Sequence, residues 1–372
     1  MHILFAGGGT AGHINPALAV AEYIKDKDPD AVISYIGTAK KLEATLVPKA
    51  GYDFRTIDVA GFQRKLTAKN VVRNANAVIK AITSSLKAKK ILIELNPDIV
   101  MGTGGYVSGP VLREAVKLGI PTVIHEQNAY PGVTTKMLAS KVDRIMLAMP
   151  EAKDRLNTDK PMIVTGNPVR SSFIGCDKGK ARKSLGIADD KIVVLSFGGS
   201  LGARPLNEAV AGMIAKLGED ERYVFIHSTG NSGYTAFCQE LAAQSVKTGD
   251  NVRVLKYIDN MAECMSSADV VIGRAGAITL TEIEAAGRAS VLIPSPYVAE
   301  NHQFHNAMTL KKHNAAEVIE EKDLTSDKLT KTVVEITSQS ARVEEMGKNA
   351  GDMAITDATK RIYEVICELI NK

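Results

Sequence analysis

The feature that most constrains this chain is a run of apolar residues ending in glycines, found twice. Ile3-Leu4-Phe5-Ala6-Gly7-Gly8-Gly9-Thr10 opens the first half and Val193-Val194-Leu195-Ser196-Phe197-Gly198-Gly199-Ser200 opens the second. The two lie 191 residues apart in a chain of 372. A continuous apolar strand must be covered on both faces, and that is the signature of a parallel sheet with helices on either side. Further strands are expected at His2–Ala6, Ala31–Ile36, Ile99–Met101, Thr122–His125, Lys191–Phe197, Tyr223–His227, Val252–Leu255, Asp269–Ile272 and Ser290–Ile293. Amphipathic helical segments such as Pro16–Asp26, Arg204–Leu217 and Thr279–Ala286 alternate with them. The pattern predicts an α/β chain of two doubly wound, Rossmann-like domains.

The join is expected around Gly166–Lys183, where Gly166-Asn167-Pro168 and Gly175-Cys176-Asp177-Lys178-Gly179 break any periodicity. A final helix, Ala354–Ile370, is placed to cross back to the first domain. The expected division is 1–166 with 354–372, and 167–353. A crevice between two such domains is a natural ligand site, because open α/β sheets bind ligands beyond the carboxyl ends of their strands.

Composition narrows the class. Apolar residues make up 45% and charged residues 24%, which is ordinary for a folded soluble domain. No apolar run reaches the roughly 18–20 residues of a membrane span, and the N-terminus lacks the pattern of a signal peptide. The four cysteines are scattered without a CxxC pair, which speaks against a disulfide framework or a zinc cluster.

Gly7-x-Gly9-x-x-Gly12 formally matches a dinucleotide fingerprint, but the next strand ends Ile36-Gly37-Thr38 with no acid to hold a ribose. A nicotinamide or flavin cofactor is therefore not expected. Glycines still let backbone N–H groups approach a phosphate at a helix start, and Pro16 suits a first helical turn. Gly102-Thr103-Gly104-Gly105-Tyr106 repeats the arrangement, so the first domain offers two anion cradles, unless both are only tight turns.

Gly273-Arg274-Ala275-Gly276-Ala277-Ile278-Thr279 opens a helix in the second half, and Glu282 lies one turn beyond Thr279. Glu282 can accept the hydroxyls of a ribose whose phosphates sit at the helix tip. Equally, it can complete a capping box with Thr279. Arg170 can stabilise a diphosphate or be a surface arginine, and Ser200 can donate to a phosphate or be only a turn residue. Asn301-His302-Gln303 can read sugar hydroxyls or cap a helix. Asp26-Lys27-Asp28-Pro29-Asp30 contains two DxD triplets but reads as a solvated turn, and no essential metal is expected.

Taken together, Gly8-Gly9-Thr10-Ala11-Gly12-His13-Ile14-Asn15-Pro16, Gly104-Gly105-Tyr106-Val107-Ser108-Gly109-Pro110 and His125-Glu126-Gln127-Asn128 resemble signatures of the MurG glycosyltransferases. Gly166-Asn167-Pro168-Val169-Arg170, Gly198-Gly199-Ser200-Leu201-Gly202-Ala203-Arg204, Arg274–Thr279 with Glu282, and Asn301-His302-Gln303 are similar to that family too. The matches run in order over about 300 residues. The resemblance implies a GT-B fold, two Rossmann-like domains facing across a cleft. It implies inverting transfer of N-acetylglucosamine from UDP-GlcNAc to the muramyl C4 hydroxyl of lipid I. The product would be lipid II, for peptidoglycan synthesis, cell shape and division.

On that resemblance the C-terminal domain holds the donor. Glu282 would take the ribose, Ile258 would set its backbone against uracil, and Met261 would lie nearby. Ala277, Ile278 and Thr279 would meet the diphosphate, with Arg170 and Ser200 moving onto it. Gln303 and His302 would share the sugar. The acceptor would meet Thr10, Gly12, His13, Gly104, Gly105, Tyr106 and Asn128. Direct displacement needs a base for the acceptor hydroxyl, and His13 is the first candidate with Glu126 the second. Ala11 stands where many relatives have glycine, and His302 where some have glutamine.

Charge adds a surface. Val59–Ile93 has no acid and carries Arg64, Lys65, Lys69, Arg73, Lys80, Lys87, Lys89 and Lys90, a local +8. The whole chain is only +4, so the rest sums to −4. Val71, Val72, Ala75, Val78, Ile79, Ile82 and Leu86 form an apolar arc opposite Lys69, Arg73, Lys80 and Lys87. The segment reads as a core-packed helix with a solvated basic face, or as a dock for anionic lipid. Nucleic acid is not expected, since no recognition motif accompanies the charge. With a lipid-linked acceptor, the expected place is the cytoplasmic face of the bacterial membrane, peripherally, with other cell-wall synthesis proteins as further candidate partners. Two rival functions share the architecture: a UDP-N-acetylglucosamine 2-epimerase, and a non-catalytic nucleotide-sugar-binding protein.

Overall fold

The structure, a computed structural model, describes residues 1–59, 83–199 and 201–371. Arg64, Lys65, Lys69, Arg73, Lys80 and Ser200 lie outside the described residues, as do Val71, Val72, Ala75, Val78, Ile79 and Ile82 of the apolar arc. The chain divides into two compact units, one of Met1–Pro168 with Asp357–Lys372, the other Val169–Thr356.

The first unit is built on a parallel sheet of β1 (His2–Gly7), β2 (Val32–Gly37), β3 (Asp53–Thr56), β4 (Ile99–Gly104), β5 (Thr122–Glu126), β6 (Arg144–Leu147) and β7 (Met162–Val164). Their order is β3-β2-β1-β4-β5-β6-β7. Alternation along β1 supplies both faces. Ile3 and Phe5 pack with Ile14, Ala17 and Val20 of the helix Ala11–Lys27. Leu4 and Ala6 pack on the other face with Val107, Val111 and Leu112 of the helix Gly105–Lys117. The helix Ala358–Ile370 closes the first of these cores. Its buried residues Ala358, Ile362, Val365 and Ile366 recur every three to four positions, one stripe of a helix. The edge of the Tyr363 ring meets Tyr23 at 5.8 Å between centroids.

The second unit repeats the plan with β8 (Ile192–Phe197), β9 (Tyr223–Ser228), β10 (Val252–Leu255), β11 (Val270–Gly273), β12 (Ala289–Leu292) and β13 (Ala316–Val318). The order is β10-β9-β8-β11-β12-β13, and every pairing is parallel. In both sheets the strand order reverses at one place, between β1 and β4 and between β8 and β11. These are the topological switch points where open α/β sheets take ligands.

Two local expectations change. The first helix starts at Ala11, so Pro16 lies past its first turn. Leu86, assigned to the apolar arc, is 65% exposed. In the helical residues 83–95 the buried stripe is Ala88, Ile91 and Leu92. Leu86 is two residues before Ala88, about 200° round the helix from it.

Two histidines are buried in these cores without being exposed at all, His125 in the first unit and His227 in the second. The ring of His227 stacks on Phe237 at 4.3 Å, and its Nδ1 shares a 2.8 Å hydrogen bond with Ser196 Oγ. Burial pushes its pKa down to about 3, and pushes that of His125 down as well. Below pH 6.5 the unfolded chain therefore takes a proton that folded His227 refuses, and stability falls as pH drops toward 3. Urea unfolding at pH 5.5 should cost the fold about 1.4 kcal/mol through His227 alone, relative to pH 7.5. His227→Gln should flatten that slope, whatever its effect on stability at pH 7.5.

Candidate functional site

Four strands flanking the two switch points, β1, β4, β8 and β11, each run through glycines into a helix. Those helices, Ala11–Lys27, Gly105–Lys117, Arg204–Leu217 and Ala277–Ala286, share one property. None has a side-chain cap and none has an acid in its first turn. The helices Lys178–Leu185 and Ser326–Thr337 are capped by Asp177 and Thr325, while Tyr234–Ala243, Ser340–Met353 and Ala358–Ile370 are bare as well, so it is the place at the strand ends of the switch points that sets the four apart. A bare N-terminus leaves backbone N–H groups and the positive end of the helix dipole available to an anion.

In the first unit the two glycine loops touch. A Cβ on Gly105 would stand 2.4 Å from the carbonyl oxygen of Gly8, and Gly105 has φ +76°. A Cβ on Gly104, at φ +106°, would stand 2.8 Å from the His13 ring. Only glycine meets both demands, so His13 is packed between the loops. Its Nδ1 lies 3.0 Å from the Gly8 carbonyl. A carbonyl can only accept, so in the neutral ring Nδ1, which also lies 3.3 Å from Thr10 Oγ1, carries the proton and Nε2 the lone pair. Ser108 Oγ accepts from Gly104 N–H at 3.0 Å and is 2.7 Å from Ala6 O, tying the second loop to β1. Thr10 and Tyr106 are exposed, and Gly12 is half-buried.

Glu126, the second candidate base, is engaged otherwise. It is 3% exposed, and its carboxylate accepts from Asn128 N (3.0 Å), Asn128 Nδ2 (3.1 Å), Gly132 N (2.9 Å) and Thr135 Oγ1 (2.6 Å). Four donors fill the acceptor positions of a carboxylate. Gln127 is likewise spent, donating to Thr103 O at 3.0 Å. Asn128 is positioned by its bonds to Glu126.

The sequence reading missed Glu43. No acid ends β2, but the helix Glu43–Lys49 brings one there from six residues beyond Gly37. Glu43 is fully buried and accepts from Gly9 N (3.1 Å), Thr38 N (3.1 Å) and Thr38 Oγ1 (2.7 Å). One N–H of the first loop is thus already taken by a carboxylate, and the loop that carries Gly8 is clamped from behind.

In the second unit the helix Ala277–Ala286 has Gly276 as its N-cap residue, so Thr279 stands at the third helical position. The capping box does not form. Glu282 instead accepts from Arg170 Nη2 at 2.8 Å, across 112 residues of sequence. The carboxylate is 12% exposed and the arginine 62%. Burial pushes the Glu282 carboxyl up, and the Arg170 guanidinium beside it pulls it back down. The guanidinium also lies over the Phe173 ring, 4.8 Å from its centroid. Arg170 and Met261 line a cavity of about 490 Å³ with Cys176, Lys180 and Asn260. Ile258 is buried, Ala277 is buried, and Ile278 is half-buried.

Asn301 and Glu300 precede the helix His302–Lys312 with φ of +51° and +55°. Asn301 is the N-cap residue but makes no side-chain cap, contrary to the capping alternative. Two successive left-handed non-glycine residues are strained and typical of ligand loops. Gln303 Oε1 accepts from Ser295 N at 2.9 Å, and His302 Nδ1 lies 2.8 Å from Ala299 O. Among the described residues no group of three or more His, Cys, Asp and Glu is placed to hold a metal ion.

Removing the Glu43 clamp is expected to loosen the loop that orients His13. Glu43→Ala should lower the unfolding free energy by about 2–3 kcal/mol, since buried donors lose a charged acceptor. It should also raise the mobility of the His13 ring, which side-chain NMR checks.

Residues 3–147 match the glycosyltransferase family 28 N-terminal domain and residues 193–362 the glycosyltransferase family 28 C-terminal domain. The UDP-N-acetylglucosamine--N-acetylmuramyl-(pentapeptide) pyrophosphoryl-undecaprenol N-acetylglucosamine transferase of Acetivibrio thermocellus is 44% identical over 370 residues, covering 100% of this chain and 98% of that protein. The crystal structure of Acinetobacter baumannii MurG superposes with a TM-score of 0.81 at 29% identity, over 99% of both chains. A UDP-GlcNAc 2-epimerase from Neisseria meningitidis, solved bound to UDP-GlcNAc, has a TM-score of 0.64 at 13% identity, covering 99% of this chain and 100% of that one. That likeness shows the fold alone. A relative this close along the full length, with both family 28 domains in order, decides for transfer over epimerisation: the chain belongs to the MurG family of GT-B glycosyltransferases.

Proposed function

We propose that this enzyme moves N-acetylglucosamine from UDP-GlcNAc to the muramyl C4 hydroxyl of lipid I, with inversion, giving lipid II and UDP. The observation that carries the proposal is the pair of bare helix N-termini at each switch point, two in each unit, in a chain of this family. Each unit then has anion-binding capacity for one diphosphate, the acceptor's in the first and the donor's in the second.

The acceptor diphosphate and muramyl group take Thr10, Gly12, Gly104, Gly105, Tyr106 and Asn128. The donor takes Glu282 at its ribose, Ile258 and Met261 at its base, and Ala277, Ile278, Thr279, Arg170 and Ser200 at its diphosphate. Gln303 and His302 take its sugar. The C4 oxygen attacks the anomeric carbon as the bond to UDP breaks, and the C4 proton passes to His13 Nε2. The tautomer supports this, because the Gly8 carbonyl keeps the proton on Nδ1. Charge developing on the leaving diphosphate is met by helix N-termini and a guanidinium, which need no metal cofactor.

The acceptor is a lipid, and the basic segment offers a surface for its membrane. Lys87, Lys89 and Lys90 are exposed beside the exposed apolar residues Leu86 and Ile93. No helix among the described residues is long and apolar enough to cross a membrane. We place the enzyme peripherally on the cytoplasmic face, with anionic lipid as its partner.

Incubation with labelled UDP-GlcNAc and a lipid I analogue should put label into a disaccharide-lipid. UDP-N-acetylmannosamine as product would indicate epimerisation, and binding without turnover a non-catalytic protein. His13→Ala should lower kcat by about 10²–10⁴-fold at saturating acceptor. A near-normal kcat would remove His13 as the base. Sedimentation with vesicles should require anionic lipid and weaken with salt. Changing Lys69, Arg73, Lys80 and Lys87 to Glu should abolish it, and unchanged binding would rule the surface out.

A further inference from the structure

The ion pair of Arg170 with Glu282 joins two groups that the proposed function assigns to different parts of one ligand. Glu282 is assigned to the ribose and Arg170 to the diphosphate, yet here the guanidinium donates to the ribose carboxylate at 2.8 Å. The two ends of the pair differ in environment. Glu282 sits in the buried face of its helix and is 12% exposed, while Arg170 is 62% exposed and held otherwise by the Phe173 ring. A buried carboxylate is costly to leave without a donor, whereas a mostly exposed guanidinium is cheap to move.

We propose that Arg170 is a specificity-determining residue: it competes with the ribose for Glu282, so only a ligand that also offers the guanidinium an anion binds without penalty. This rests on the assignment of Glu282 to the ribose. A ribose diol gives Glu282 two hydroxyl donors and can replace the arginine there. A nucleoside does only that, and the ion pair is lost with no new partner for the guanidinium. A nucleoside diphosphate does both, so its two halves bind cooperatively through one displaced side chain. The ion pair thus penalises uridine relative to UDP beyond what the phosphates add directly. Burial pushes the Glu282 carboxyl up, and Arg170 opposes this without cancelling it.

The competition separates two ligands that a simple phosphate contact does not. In the full-length protein, Kd values for uridine and UDP are measured for the wild type, Arg170→Ala, Arg170→Gln and Glu282→Gln. Calorimetry reads UDP and ligand-observed NMR reads uridine. Arg170→Ala should bind uridine about two- to fivefold more tightly, the worth of a partly exposed ion pair, and UDP more weakly. Arg170→Gln should do the same in smaller measure and guards against a local collapse in the alanine variant. Uridine binding unchanged or weakened in both variants, with Glu282→Gln weakening both ligands, would overturn the competition and leave the ribose assignment standing. Glu282→Gln with both affinities intact would overturn the ribose assignment and the competition with it.

Discussion

Parallel pairing of β1 with β4 and of β8 with β11 is the constraint on which the rest depends. In a parallel sheet every strand delivers its carboxyl end to the same edge, and each connection must leave that edge by a helix. At the switch point two neighbouring helices depart to opposite faces, so their N-termini start from adjacent strand ends. Apolar alternation along β1 decides that pairing, because Ile3 and Phe5 need one cover and Leu4 and Ala6 another. The glycine loops follow from it. Two loops brought to adjacent strand ends must pass within van der Waals distance, and Gly104 and Gly105 are the residues that let them.

A bare helix N-terminus is a deficit for folding, and at two helices a side chain makes it good. Asp177 and Thr325 cap helices remote from the switch points, each bonding an early N–H. The four switch-point helices forgo that contribution of about 1 kcal/mol apiece. Glu43 shows the limit of the deficit. It takes Gly9 N–H and so fills part of one cradle, but in exchange it fixes the loop that carries the Gly8 carbonyl and, through that, the tautomer of His13.

How much was legible follows the length and burial of the elements. Strands buried on both faces were visible as apolar runs, and β1, β4, β8 and β11 were among them. The strands β3, β6, β7 and β13 were not. Each has three or four residues, and Asp53-Phe54-Arg55-Thr56 and Ala316-Glu317-Val318 carry charge, as suits the outer part of a sheet. Leu86, which alone of the apolar arc lies among the described residues, faces outward for a different reason. A helical period fixes spacing but not phase, and the stripe that reached the core ran through Ala88, Ile91 and Leu92.

The site was legible where chemistry sits inside a loop and illegible where it spans the sequence. Glycine-rich junctions, His13 and Glu282 all stand within a few residues of a strand end. Glu43 lies 34 residues from the N–H it binds, and Arg170 lies 112 from its carboxylate. No spacing rule reaches that far, and both contacts depend on which elements the sheet order makes neighbours. The capping box and the ribose site were equal on spacing because both need Glu282 one turn beyond Thr279. The structure removes the capping box, because the buried carboxylate turns to a cation arriving from the start of the second unit. On the proposed assignment of Glu282 to the ribose and Arg170 to the diphosphate, this pair joins two groups that one ligand would address together.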